Sequence, residues 1–262
     1  MSVIIGTPIF RGGAYVIERF LSNQKFVQES YQSAELILAT AESDFIKELE
    51  GHLKFFKLKG TVLFFNVIKP PHANSNLWEI ACGREAIREY TLFKTRARYL
   101  LFLDADMAFE PSVVNTMEKE IQGYDVVFSG SPLHNNAIGL AGAGCVMLTR
   151  SILEKVRFRC YEFRNGEVIF EDNLLEMDLF RLGSRIKKGF FLSVNHYISA
   201  TEFRYIAPQP VGILRKMVNS TLIRYILIRL SIMIQQNIPW KIKVLLIKCL
   251  GDWGKKANIN QI

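Results

Sequence analysis

The stretch "YLLFLDADMAFEP", residues 99–111, places two carboxylates directly after a run of apolar residues. The run is continuous rather than alternating, which is typical of a strand covered on both faces. Asp104 and Asp106 follow at the carboxyl end of this predicted strand. Two carboxylates about 4 Å apart repel each other by roughly 4 kcal/mol at an effective dielectric constant of 20. The sequence therefore indicates that something at this strand end requires negative charge.

Similar apolar runs occur on both sides of this stretch and alternate with segments of helical spacing. The other predicted strands of the first half are residues 2–10, 34–40, 61–68 and 124–130, and the predicted helices are 14–24, 43–60, 78–95 and 111–122. Strands that alternate with helices predict an α/β fold with a mostly parallel, Rossmann-like sheet and helices on both faces. Ligands bind such sheets outside the carboxyl ends of the strands, where Asp104 and Asp106 are expected.

The second half predicts fewer regular elements. A small-residue loop leads into a strand over 136–149, and Ser151 with Glu154 forms a capping-box pattern at the start of a helix. A further helix is expected after Asp172, and residues 190–199 resemble a final strand of the sheet.

The pair Asp104 and Asp106 suggests a divalent cation, because a cation removes the repulsion and carboxylate oxygens favour Mg²⁺ or Mn²⁺. The alternative is a chance pairing on a solvated turn, with Asp106 capping the turn before Pro111. A DxD pattern alone does not decide between these interpretations.

The composition is that of a globular protein: 262 residues, 49% hydrophobic and 22% charged. Its four cysteines are widely spaced without a CxxC pair, so neither a disulfide framework nor a zinc site is expected. The chain begins with a strand-like segment, which predicts a cytoplasmic rather than a secreted protein.

The net charge of +8 belongs to the C-terminal segment. Residues 211–262 hold nine Lys and Arg against one acidic residue, while the basic and acidic residues of 1–210 cancel. The predicted domains are therefore a neutral catalytic domain, 1–210, and a basic, apolar helical segment, 211–262. A neutral body argues against nucleic acid as a partner.

The C-terminal segment leaves two interpretations open. Its longest stretch without charge, residues 230–240, is too short to cross a bilayer. Its basic side chains, together with Trp240 and Trp253, fit a helix that lies on the inner face of an anionic membrane. The alternative is a helical subdomain that packs on the catalytic domain or forms a homo-oligomer.

Taken together, seven sequence blocks over about residues 2–200 resemble the nucleotide-sugar glycosyltransferases of the GT-A fold, and are similar to their family 2 group. The blocks are "SVIIGTPIF", "ELILATAESD", "ACGREAIREY", "YLLFLDADMAFEP", "GLAGAGCVMLTRSIL", "FEDNLLEMDLFRLG" and "NHY". The resemblance implies a hexosyltransferase-like enzyme that uses a UDP-, GDP- or dTDP-linked sugar, a Mn²⁺ or Mg²⁺ ion and a sugar or lipid-linked acceptor hydroxyl.

The resemblance also assigns the residues around the cation. Asp106 matches the aspartate that contacts the ion directly. Asp104 matches the one that contacts the donor ribose or the water shell of the ion. Ala105, between them, matches a residue that contacts the donor. His196 matches a histidine that completes the metal shell in many members, although a lone histidine after a strand is more often structural.

Further donor contacts follow from the same resemblance. Thr7 and Pro8 match the nucleoside pocket, and Glu42 or Asp44 matches the position that holds the base. Arg84 matches a residue whose guanidinium reaches the donor, and the alternative is a surface ion pair with Glu85. The small residues Gly142, Ala143 and Gly144 would let the backbone approach the sugar ring, or would serve close packing.

The acidic pair Glu171 and Asp172 matches the catalytic carboxylates. Sugar transfer needs a base for the acceptor hydroxyl proton, and Asp172 resembles that base in inverting members, with Glu171 orienting the acceptor or Asp172. The alternative is that Asp172 is only the N-cap of the following helix.

Two other classes of function remain open from the sequence. A sugar-phosphate nucleotidyltransferase has a related architecture, but the Gly12–Gly13 region lacks its glycine-rich signature. The other class is a glycosyltransferase-like module without activity that binds a membrane or a partner through residues 211–262. Such a module would not need the acidic pairs Asp104/Asp106 and Glu171/Asp172.

Overall fold

The computed structural model describes residues 2–132, 138–140, 142–163, 166 and 168–237. The strands are β1 Val3–Pro8, β2 Ala34–Thr40, β3 Gly60–Phe64, β4 Tyr99–Leu103, β5 Met107–Phe109, β6 Val126–Ser129, β7 Ser131–Pro132, β8 Ile138–Gly139, β9 Cys145–Thr149, β10 Tyr161–Glu162, β11 Val168–Ile169, β12 Ile186–Gly189, β13 Val194–Tyr197 and β14 Phe203–Ile206. The helices are α1 Ala14–Ser30, α2 Ile46–Phe55, α3 Leu77–Lys94, α4 Val113–Glu120, α5 Arg150–Leu153, α6 Glu171–Arg181, α7 Ile213–Val218 and α8 Thr221–Asn237.

A seven-stranded sheet with the order β12-β6-β9-β4-β1-β2-β3 forms the centre of the molecule. Its neighbouring strands are parallel except for β9, which runs antiparallel to both β4 and β6. The predicted mostly parallel α/β sheet is therefore confirmed. The carboxyl ends of β1 and β4 lie side by side at one edge, because these strands pair in register from Val3 with Tyr99 onward.

Both faces of the sheet are buried in hydrophobic cores. Alternate residues of each central strand enter opposite cores: Leu101 and Leu103 of β4 pack with helices α1, α2 and α4, whereas Leu100 and Phe102 pack with α3, α5 and α6. This alternation explains the continuous apolar runs, since both sets of side chains are withdrawn from water.

Helix α2 is shorter than predicted. It ends at Phe55, Lys57 adopts a left-handed conformation (φ 56°), and the chain enters β3 at Gly60. Gly60 therefore begins a strand instead of ending a helix. A Cβ at this position would lie 2.5 Å from the carbonyl oxygen of Leu36, so the close approach of β3 to β2 requires a glycine.

The predicted capping box at Ser151 is wrong. Helix α5 has Thr149 at its N-cap position, without a side-chain capping hydrogen bond. The Thr149 hydroxyl instead lies 3.1 Å from the Ser151 hydroxyl.

The predicted final strand lies in a different sheet. Only β13 within residues 190–199 is a strand, and it pairs antiparallel with β14 and with β5, the three-residue strand after Asp106. The second sheet therefore connects the C-terminal part of the chain to the end of β4.

The described part of the C-terminal segment packs on the rest of the protein through α6. Tyr225 of α8 stacks on Phe180 of α6 with 4.4 Å between ring centroids. Beside them, the buried Glu176 binds both Lys188 and Arg224. Of the helices in the described residues, none combines the length and apolar character needed to cross a membrane. Trp240 and Trp253 lie outside the described residues.

We predict that Glu176→Gln lowers the free energy of unfolding by about 3–5 kcal/mol, because it leaves two cations beside an uncharged group in a buried site. Burial already lowers the pKa of Lys188, and Glu176 opposes that effect. Urea denaturation would measure the loss. The control is Glu120→Gln, which breaks the more accessible pair with Lys187 and should cost about 1 kcal/mol or less. Equal losses in the two variants would contradict a special role for the buried cluster.

Candidate functional site

A cavity of about 460 Å³ opens at the carboxyl ends of β1 and β4. Most of the residues assigned to the site by the sequence line this cavity. They are Pro8, Arg84, Asp104, Ala105, Asp106, Gly142, Ala143, Gly144, Glu171, Asp172 and His196. These residues come from six separate regions of the chain, and the fold brings them together where the sheet topology predicts a ligand site.

A tight turn places both aspartates at the cavity. Strand β4 ends at Leu103, directly before Asp104, so both aspartates follow the strand. The Asp104 amide donates to the carbonyl of Gly144 (3.0 Å), and the Met107 amide donates to the carbonyl of Asp104 (3.2 Å). The chain then continues into β5.

The second sheet holds His196 against this turn. His196 of β13 pairs in register with Met107 of β5, and the Tyr197 amide donates to the carbonyl of Asp106 (2.7 Å). This register brings His196 Nε2 to 3.1 Å from Asp106 Oδ2. His196 is buried, so its ring position is set by the surrounding sheet.

Arg84 joins the two walls of the cavity. Its side chain is 3% exposed, and one guanidinium nitrogen donates to Asp104 Oδ1 at 2.6 Å. The other terminal nitrogen binds Glu171. The predicted alternative, a surface pair with Glu85, is wrong, because Glu85 binds Arg88 instead.

Glu171 and Asp172 occupy the first turn of α6. The N-cap position belongs to Phe170, so Asp172 lies inside the helix and the N-cap interpretation is wrong. One oxygen of Asp172 accepts a hydrogen bond from the Asn173 amide (2.6 Å). Burial, and then the negative charge of Glu171, raise the pKa of Asp172 to about 7. A carboxyl group with this pKa can accept or release a proton near neutral pH.

Three of the predicted donor contacts do not line the cavity. The buried hydroxyl of Thr7 donates to the carbonyl of Leu103 (2.8 Å), which ties β1 to the end of β4. The carboxylates of Glu42 and Asp44 both contact Arg11, outside the cavity lining. They form a solvent-accessible ion cluster beside the end of β2.

The donor set at the turn is suited to a hard cation but is incomplete by itself. Asp106 and His196 offer an oxygen and a nitrogen ligand, whereas one oxygen of Asp104 is engaged by Arg84. Within the described part of the chain, no group of three or more His, Cys, Asp or Glu side chains is arranged to hold a metal ion. Mg²⁺ commonly uses one or two carboxylates and takes its other ligands from substrate phosphates and water, so these residues fit an ion that arrives with a phosphorylated ligand.

Several residues that line the cavity were not predicted from the sequence. Tyr15, Leu77, Ile80 and Phe170 line the cavity, as does Ser131. Burial and the nearby Asp106 raise the pKa of Tyr15. The apolar members follow helical spacing, which the sequence alone does not distinguish from core packing.

We predict that Gly144→Ala costs about 1–3 kcal/mol of stability and shifts Asp104, because an added Cβ would lie 2.8 Å from both Asp104 Oδ2 and Met107 Cε. Gly142→Ala is the matched control, since a Cβ there meets no atom within 4 Å. Urea denaturation of both variants would measure the difference. A Gly144→Ala variant as stable as the control would show that the turn does not depend on this close contact.

Comparison with known proteins gives matches among solved structures only. No family model and no curated protein matches this chain. The chain is similar to the mannosyltransferase PcManGT from Pyrobaculum calidifontis, solved with GDP-Man and Mn²⁺, with a TM-score of 0.50 and 12% identity over 71% of this chain and 53% of that one. It is also similar to S. aureus TarS 1-349 in complex with UDP-GlcNAc, with a TM-score of 0.49 and 13% identity over 81% of this chain and 60% of that one.

A third similar structure is A197 from STIV, with a TM-score of 0.44 and 16% identity over 81% of this chain and 98% of that one. The chain spans about half the length of the mannosyltransferase. At these identities the likeness concerns the fold alone. The chain has the GT-A fold of nucleotide-sugar glycosyltransferases.

Proposed function

We propose that the protein is a glycosyltransferase, of hexosyltransferase type, which moves a sugar from a nucleotide diphosphate to an acceptor hydroxyl with inversion at the anomeric carbon. The observation that carries the proposal is the arrangement of the cavity. Asp104, Asp106 and His196 form one wall, Glu171 and Asp172 form another, and Arg84 connects them. Transfer from a charged donor requires these two kinds of group to face one space.

The donor diphosphate would lie against the turn that carries Asp106. A Mn²⁺ or Mg²⁺ ion held by Asp106 and His196 would stabilise the negative charge that develops on the leaving diphosphate. His196 would need the tautomer in which Nε2 is unprotonated, because a nitrogen that donates to a carboxylate has no lone pair for a cation. Gly142 and Gly144 keep the adjacent wall free of side chains, which favours close approach of a sugar ring.

Asp172 would accept the proton of the attacking hydroxyl. The acceptor oxygen forms a bond to the anomeric carbon as the bond to the diphosphate breaks, and the hydroxyl proton passes to the Asp172 carboxylate. A base with a pKa of about 7 is deprotonated in half of the molecules at neutral pH and still binds a proton well enough to remove it. Glu171, held by Arg84, would fix the first turn of α6 and orient the acceptor.

The acceptor side of the cavity is partly apolar. Leu77, Ile80 and Phe170 belong to the lining of the same cavity as Asp172. An apolar surface can contact the face of a sugar ring or the first part of a lipid chain. We therefore propose a sugar or a lipid-linked molecule as the acceptor.

Donor binding can be tested without knowledge of the acceptor. We expect at least one of UDP, GDP and dTDP to raise the melting temperature in the presence of Mn²⁺. A ligand at 100 times its dissociation constant adds about 2.7 kcal/mol, which corresponds to roughly 5–10 °C for a chain of this size. Asp106→Asn should remove the Mn²⁺-dependent part of the shift, because it removes the charged ligand.

The control for that experiment is Asp125→Asn, since Asp125 pairs with Arg185 and does not line the cavity. It should retain the full nucleotide shift. If no nucleotide shifts the wild-type melting temperature with either Mn²⁺ or Mg²⁺, the proposed donor class is wrong. A shift with nucleoside triphosphates alone would favour a nucleotidyltransferase.

We predict that Asp172→Asn retains nucleotide binding and loses turnover by about 10²–10⁴-fold, the usual contribution of a general base. In the wild-type enzyme the rate should rise with pH through about 7, because only the deprotonated carboxylate accepts a proton. Below this value the rate should fall tenfold per pH unit. Hydrolysis or transfer assays over a pH series, with the nucleotide-sugar identified by binding, would measure both effects.

Asp178→Asn provides the matched control, because Asp178 is on the same helix but pairs with Arg159 away from the cavity. It should keep both the rate and the acidic limb of the profile. Turnover by Asp172→Asn within a few-fold of wild type would rule out Asp172 as the base while leaving the donor proposal to the binding experiment.

A further inference from the structure

Helix α8 carries apolar side chains on two different faces, and only one of them is covered in the described structure. Tyr225, Ile228 and Ile232 pack on α6 and its neighbours. Leu222, Ile226 and Leu230 follow one another at intervals of four residues on another face, and all three are exposed. A helix that is apolar all round is normally buried on all sides.

Helix α7 contacts α8 and also carries exposed apolar side chains. None of its residues is buried, and Ile213, Leu214 and Met217 are each more than half exposed. We call the exposed side chains of residues 213–230 on α7 and α8 the C-terminal apolar surface. A group of exposed apolar side chains on neighbouring helices is typical of an interaction site.

The segment that carries this surface has only positive charges of its own. No Asp or Glu occurs in the sequence between Glu202 and Asp252, whereas eight Lys and Arg lie in that interval. Within the described residues, Lys216 and Arg229 are exposed beside the apolar side chains. Arg224 is committed to the internal pair with Glu176.

We propose that the C-terminal apolar surface docks on an anionic lipid bilayer. Apolar side chains would enter the boundary between headgroups and acyl chains while Lys216 and Arg229 contact lipid phosphates. The charges favour this occupant over a second copy of the chain, since a symmetric dimer through this face would bring the same cations together. The inference does not depend on the transfer reaction.

This surface lies beside the candidate site through α6. Arg224 of α8 donates to Asn173 Oδ1 (2.9 Å), and Asn173 directly follows Asp172. The docked helix would therefore be the immediate neighbour of the helix that carries the proposed base.

Vesicle sedimentation of the full-length protein tests the proposal. We expect binding to phosphatidylcholine vesicles that contain phosphatidylglycerol, weaker binding at high NaCl concentration, and little binding to phosphatidylcholine alone. The triple variant Leu222→Gln, Ile226→Gln and Leu230→Gln should lose most of the binding. Lys216→Gln and Arg229→Gln should each weaken it about fivefold.

The matched control replaces three other exposed apolar residues, Phe55, Ile68 and Phe93, with Gln. This control should bind as wild type does. Light scattering of each protein without lipid completes the experiment. The proposal is wrong if wild type fails to bind anionic vesicles. It is also wrong if the triple variant binds these vesicles as well as wild type does. A wild-type dimer that the triple variant converts to monomer would assign the surface to a second copy instead.

The charge variants keep the test decisive if the triple variant does not fold. They replace exposed side chains only, so their circular dichroism melting curves should match wild type. Unchanged affinity for anionic vesicles in both charge variants would overturn the proposed contact with lipid phosphates.

Discussion

The candidate site depends on one buried guanidinium. Arg84 has almost no contact with solvent, and its charge is compensated by Asp104 after β4 and by Glu171 at the start of α6. A buried charge is tolerated only with such partners, and the loss of one partner leaves an uncompensated charge. Arg84 of α3 therefore joins the polar ends of β4 and α6, whose apolar side chains already share a hydrophobic core. On the proposed function, these are the donor wall and the acceptor wall.

The same constraint explains how two aspartates can follow a core strand. Each has its own partner: Arg84 lies 20 residues before Asp104 in the sequence, and His196 lies 90 residues after Asp106. The local sequence shows the two neighbouring carboxylates but not these distant partners. Arg84 and His196 therefore contact the same carboxylates that would bind a cation. A cation would then be held jointly with the donor phosphates, which agrees with an incomplete set of protein ligands.

Local patterns predicted six of the seven strands of the central sheet but missed β12, and they predicted the second sheet poorly. Strands β1, β2, β4 and β6 are continuous apolar runs whose signal lies within a few residues. Strand β5 has three residues, and its pairing with β13 is set by contacts almost 90 positions apart. The same limit applies to the site. The acidic pairs were visible as clusters, whereas the internal roles of Thr7 and of the Arg11 cluster depend on which side chains the fold brings together.

Helix α6 links the candidate site to the C-terminal segment. Asp172 and Glu176 are four residues apart and lie on the same side of the helix, one above the other. Arg224 of α8 binds Glu176 and lies close enough to Asp172 to lower its pKa, against the upward effects of burial and of Glu171. The pKa of about 7 is therefore a balance in which the C-terminal helix takes part. Arg224 lies on α8, so a change in the position of this helix relative to α6 would change one of the charges that set the proton affinity of the proposed base.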